Sequence, residues 1–205
     1  MKRLLCSLLL AAGALFAAQA AGASRTKALV VYFSFPIDGG REALDTRSGA
    51  SVTVKDGVHY GNAEFIARTA AAAIGADLFE IDTGNHYPRD YNRIFDVTQS
   101  EQRTNTKPRL LKKVSDISAY DKIVICTPVW WYKMPLAVQA FLDEYDLSGK
   151  TIYLSVTHGG SRSAGIEREI AQAEPGATVS RNVLIVGRAD TAKSEKQIAD
   201  WARSL

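Results

Sequence analysis

Three short stretches hold the residues whose types and spacing suit chemistry. The densest is Thr127-Pro128-Val129-Trp130-Trp131-Tyr132, where three aromatic side chains follow one another directly after an apolar run. Consecutive aromatics can offer a flat face to a planar ligand, although one tryptophan of such a pair can equally fill a gap in a core. A second stretch, Thr157-His158-Gly159-Gly160, ends another apolar run. His158 can donate to a ligand there, or be satisfied by the backbone of its own loop. The third is divided: the hydroxyl of Ser34 closes the first apolar run, and Gly61-Asn62-Ala63 opens a helical pattern well downstream. His59 and His86 stand apart, read as surface residues, and nothing pairs them at metal-ligand spacing. Ser161 and Ser163 beside His158 do not make a hydrolase elbow. In SRSAG, Ser161 stands where G-x-S-x-G needs its first glycine.

These stretches need rigid elements to hold them, and the pattern supplies those. Residues 28–33 and Ile123-Val124-Ile125 are apolar without polar alternation, as in strands covered on both faces of a parallel sheet. A shorter strand of mixed polarity over 77–81 fits a place nearer the sheet edge. Further strands are predicted over 151–156 and 182–186. Helices are predicted over 61–74, stopped by Gly75, then 91–102, 135–145, 166–173 and 194–203. Residues 110–118 read as weakly helical or irregular. Residues 35–60 interrupt the first strand-to-helix step as an insertion. Its second half, SVTVKDGVHY, alternates around Asp56-Gly57 and reads as a hairpin. Strands alternating with helices predict a doubly wound α/β fold with a five-stranded parallel sheet and helices on both faces. In such sheets ligands bind at the carboxyl ends of the strands, which is where all three stretches fall.

Residues 1–20 read as a cleaved signal peptide. Lys2-Arg3 is the basic start, 4–16 the apolar stretch, and Ala18-Gln19-Ala20 a small-x-small cleavage site. A second site, Ala21-Gly22-Ala23, makes Ser24 the alternative first residue of a domain spanning 24–205. The apolar stretch is too short to span a bilayer comfortably, so no stable membrane insertion is expected after cleavage, and the protein is expected to be periplasmic or secreted. Without Lys2 and Arg3, 23 basic residues face 22 acidic ones, which leaves no electrostatic case for nucleic acid. Cys126 is then the only cysteine and reads as a buried small hydrophobe.

Taken together, VVYFS with the later Gly-Asn helix start, TPVWWYKMP and THGGSRSAG resemble the flavodoxin-like family in order and spacing. The resemblance covers about 27–205 and implies strand order 2-1-3-4-5 with FMN at the carboxyl edge. It implies a phosphate held by Ser34 and by backbone N–H groups of Gly61, Asn62 and Ala63. The flavin ring would lie against residues 127–132, with Thr157, His158, Gly159 and Gly160 near its polar edge. The chain departs from that pattern at Tyr60 and Ala63, where hydroxyl residues are common, at Tyr132, where glycine is common, and in the 35–60 insertion. Arg41 or Arg47 could compensate for the missing hydroxyls. Three readings remain open: an electron carrier with a redox partner protein or small-molecule acceptor, an FMN-dependent NAD(P)H:quinone-type reductase, and an exported binding module that has lost tight flavin binding.

Overall fold

The computed structural model describes residues 26–36 and 51–205. The predicted leader, most of the first half of the insertion, and with it Arg41 and Arg47, lie outside the described residues. The strands, in chain order, are β1 (Ala28–Tyr32), β2 (Val52–Lys55), β3 (Val58–Gly61), β4 (Asp77–Glu80), β5 (Lys122–Pro128), β6 (Thr151–His158), β7 (Thr178–Val179) and β8 (Leu184–Gly187). The helices are α1 (Asn62–Ile74), α2 (Tyr91–Thr104), α3 (Leu136–Glu144), α4 (Ile166–Ala173) and α5 (Glu195–Arg203).

The main sheet is parallel and runs β4-β1-β5-β6, with β7 and β8 both on the outer side of β6. This is the 2-1-3-4-5 order, with the fifth position filled by two pieces. β7 pairs with Thr151 and Ile152, and β8 pairs with residues 155–158. Two-residue β7 is too short to leave a pattern in the sequence, so the predicted last strand covered only the second piece.

The apolar runs are two-sided because helices cover both faces. Leu29, Val31 and Phe33 of the first run, with Ile123 and Ile125, pack against apolar side chains of α2, α3 and α4. Val30, Tyr32, Val124 and Cys126 face α1 and α5. Cys126 is fully buried, and burial pushes its thiol pKa far above the usual value, so it is an inert core residue. β4 is the edge strand, as its mixed polarity predicts, with Leu78 partly exposed.

β2 and β3 form the predicted hairpin, turning at Asp56 (φ 50) and Gly57 (φ 78). Positive φ at both central residues is the type I′ turn that matches strand twist. β3 runs straight into α1, whose far end closes at Gly75 in the left-handed conformation. Lys55 pairs with Glu195 at 3.0 Å, which ties the hairpin to α5.

Candidate functional site at the carboxyl edge

β1, β5 and β6 end side by side, and a cleft opens beyond β5 and β6. Its walls are Ser51 just before β2, Asn62 at the start of α1, Pro128, Val129 and Trp130 at the end of β5 and beyond, Thr157, His158 and Gly159 at β6, and Arg188 after β8. Five segments of the chain therefore converge there. Of the residues singled out in the sequence, Asn62, Pro128, Val129, Trp130, Thr157, His158 and Gly159 share this cleft. Ser34, Gly61, Ala63, Thr127, Trp131, Tyr132 and Gly160 do not line it.

The start of α1 is held differently from what a plain strand–turn–helix step would give. Gly61 lies so close to Ser34 that a Cβ on Gly61 would stand 2.0 Å from Ser34 Oγ. The insertion thus returns to the end of β1, and Ser34 and Gly61 are reunited. The hairpin also uses donors at the helix start. The Asn62 N–H donates to the Ser51 carbonyl at 2.8 Å, and the Thr53 hydroxyl donates to Asn62 Oδ1 at 2.5 Å. The Gly61 N–H donates to the Glu64 carboxylate at 3.1 Å. Ala63, at the second helical position, is buried.

The β5 loop opens with Thr127, which is fully buried and donates its hydroxyl to the Pro128 carbonyl. Pro128 itself completes the strand, paired with Thr157, so the strand extends past the predicted break. The Val129 N–H then donates to the Thr157 carbonyl, which clips the β5 and β6 loops together.

The aromatic triplet divides. Trp130 and Lys133 exchange backbone hydrogen bonds of 3.1 and 2.9 Å around Trp131 (φ 54) and Tyr132 (φ 59). Both central residues take left-handed conformations that disfavour large side chains, so this tight turn stores strain. It sends the three rings in different directions. Trp130 meets Phe33 edge-on at 5.1 Å and Tyr87 at 5.3 Å, joining the core while still lining the cleft. Trp131 lies on α2, with its indole N–H donating to Thr98 Oγ1 at 3.0 Å and its ring 4.4 Å from Phe95. Tyr132 is 75% exposed. Only Trp130 therefore presents itself to the cleft.

His158 accepts a 2.9 Å hydrogen bond at Nδ1 from the Gly160 N–H. Burial, with Arg162 adding to it, holds its pKa below the ordinary histidine value. The neutral ring consequently carries its proton on Nε2, where it can donate. Gly160 has φ 137, a conformation that glycine alone adopts easily.

Sequence reasoning missed two features. Arg188 follows a strand with no motif to mark it, yet its Nη1 is buried at the cleft without a hydrogen-bond partner among the described residues. His86 lies at the surface, as expected, but it is paired. Its Nε2 lies 2.5 Å from Glu101 Oε1, and the Tyr87 hydroxyl donates to the other carboxylate oxygen at 3.1 Å. Glu101 is buried, and that burial raises its pKa against the opposing pull of His86 and Tyr87. Among the described residues, no group of side chains is arranged to hold a metal ion.

Comparison with known proteins gives a consistent picture. A family model described as "Flavodoxin" matches residues 53–205. A protein from Bacteroides eggerthii described as a flavoprotein is 23% identical, with a TM-score of 0.64 over 87% of this chain and 97% of that one. A second, from Bacteroides uniformis, is also 23% identical, with a TM-score of 0.56 over 83% and 98%. A flavoprotein from Lactobacillus acidophilus, solved in complex with FMN, is 16% identical, with a TM-score of 0.57 over 83% and 99%. At these identities the solved structures speak to the fold. A comparison with curated proteins returned no match.

Proposed function

Because the chain belongs to the flavodoxin family, we propose that it binds FMN at the carboxyl edge and carries electrons in the cell envelope. The observation that carries this reading is the convergence of Asn62, Trp130, His158 and Gly159 on one cleft at the ends of three adjacent strands. FMN, when bound, supplies the electron chemistry, and the protein supplies binding and orientation.

The residues present fit that cofactor. Ser34 and the first turn of α1 form a cradle with no room for a Cβ at Gly61. The positive end of α1 favours an anion there. Trp130 lines the cleft wall, and the Nε2–H of His158, unengaged among the described residues, can donate to a ring carbonyl. Gly159 lines the cleft, while the Gly160 N–H is engaged by His158 Nδ1. The cleft holds only about 40 Å³, far below the roughly 300–1,000 Å³ of ordinary ligand pockets. FMN must therefore lie largely across its mouth or widen it as it binds.

Residues 1–20 support export, and export favours a membrane or protein electron donor because nicotinamide donors are scarce outside the cytoplasm. A reductase reading has one observation in its favour. A cleft of about 640 Å³ lined by Phe35, His86, Tyr87, Arg89 and Val97 adjoins the Trp130 cluster through Tyr87. Its volume suits a small-molecule acceptor.

One experiment separates the two. Protein loaded with FMN and mixed anaerobically with NADH or NADPH should keep its oxidised spectrum, whereas chemically reduced protein should pass electrons to an added redox protein. Rapid bleaching by either nicotinamide, with turnover on a quinone, would replace the carrier with the reductase.

A further inference from the structure

We propose that Arg188, reaching in from the end of β8, is the anchor for the FMN phosphate in this chain. The assignment rests on the FMN-binding reading and names the residue that gives that site its preference for a phosphorylated flavin.

Partners within the chain take up polar groups at the start of α1. Asn62 donates its backbone N–H to Ser51, Asn62 Oδ1 is engaged by Thr53, and the Gly61 N–H is engaged by Glu64. The hydroxyls that would supplement them are missing, since Tyr60 packs its ring on Phe65 at 5.7 Å and Ala63 has none. Two backbone donors at the start of α1, those of Gly61 and Asn62, are thus already engaged within the chain. Arg188 supplies what is lacking, in the same cleft as Ser51 and Asn62.

Its base is fixed. The buried Thr191 hydroxyl lies 3.2 Å from the Arg188 carbonyl and 3.3 Å from that of Gly187, within the turn of residues 188–193. The guanidinium lies over Gly159, whose missing Cβ would stand 3.5 Å from Nη1. Among the described residues Nη1 is buried and unpartnered, and no carboxylate pairs with Arg188. A buried donor on a charged group that lacks an acceptor is costly, and a bound phosphate oxygen relieves that cost. Arginine presents a planar fork that matches phosphate two bonds at a time.

The test compares FMN with riboflavin, which lacks only the phosphate. Flavin fluorescence quenching is measured on the wild type, Arg188→Gln and Arg188→Lys, with thermal melts to confirm folding. Arg188→Gln should weaken FMN binding about 10–100-fold and leave riboflavin affinity unchanged, with Arg188→Lys intermediate. Inorganic phosphate should compete with FMN, and not with riboflavin, on the wild type. Equal losses for both flavins would put the guanidinium on the ring and overturn the assignment. So would a wild type that prefers FMN alongside an Arg188→Gln variant that prefers it equally, which leaves the FMN reading intact. A wild type that takes up neither flavin sinks both.

Discussion

Replacing Phe33 by Ala is expected to lower the free energy of unfolding by about 3–5 kcal/mol. Phe33 is 1% exposed and sits just past the end of β1, where the core meets the site. Its ring meets Trp130 at 5.1 Å and Tyr87 at 5.8 Å, and Tyr87 in turn meets Phe35 at 5.6 Å. The backbone is fixed independently, because the Phe33 N–H donates to the Cys126 carbonyl at 3.0 Å. Truncation therefore leaves a cavity that the strand cannot collapse to fill. Trp130 loses the edge that orients it, so flavin binding should weaken along with stability. Urea denaturation at unchanged m-value measures the loss. A loss below about 1 kcal/mol would mean that Trp130 and Tyr87 repack freely and that the cluster does not hold the loop.

The second large effect is expected at Gly61. Its φ of −67 and ψ of 146 are open to any residue, so the argument is purely steric. An added Cβ would stand 2.0 Å from Ser34 Oγ, 3.0 Å from Ser34 Cβ and 3.5 Å from Pro36 Cδ. Rotating Ser34 moves its hydroxyl aside but leaves its Cβ in place, so β1 and α1 must separate slightly. Gly61→Ala should cost about 1–3 kcal/mol, as overpacking does, and it should also weaken FMN binding by parting Ser34 from the helix start. Adding Ser34→Gly should recover most of the stability. The two substitutions touch the same contact, so they should be strongly non-additive in a double-mutant cycle. Simple additivity would show that the two segments are not pressed together.

The fold was legible because its signals are local and strong. Unbroken apolar runs at 28–33 and 123–125 announced two-sided strands, Asp56-Gly57 announced a hairpin, and Gly75 announced a helix end. Each of these corresponds to an observed strand, turn or cap. The divided fifth strand was not legible, because β7 holds only Thr178 and Val179 and takes its identity from pairing with β6.

The positions of the three carboxyl-end loops could also be read, but the directions of their side chains could not. Trp131 and Tyr132 occupy turn positions that usually call for glycine or asparagine, so the sequence gives no sign that the triplet will splay. The pairing of His86 with Glu101 spans a loop and most of α2. Arg188 matters because of what surrounds it in space, and nothing beside it in the chain reports that.

The central claim is that the carboxyl-edge cleft takes up FMN, and a titration followed by visible absorbance and flavin fluorescence tests it most directly. Purified protein stripped of any flavin should take up one FMN per chain, with a shifted, structured flavin spectrum, quenched emission and a dissociation constant of about micromolar or tighter. A spectrum that stays that of free FMN, with unquenched emission up to about millimolar flavin, would contradict the account.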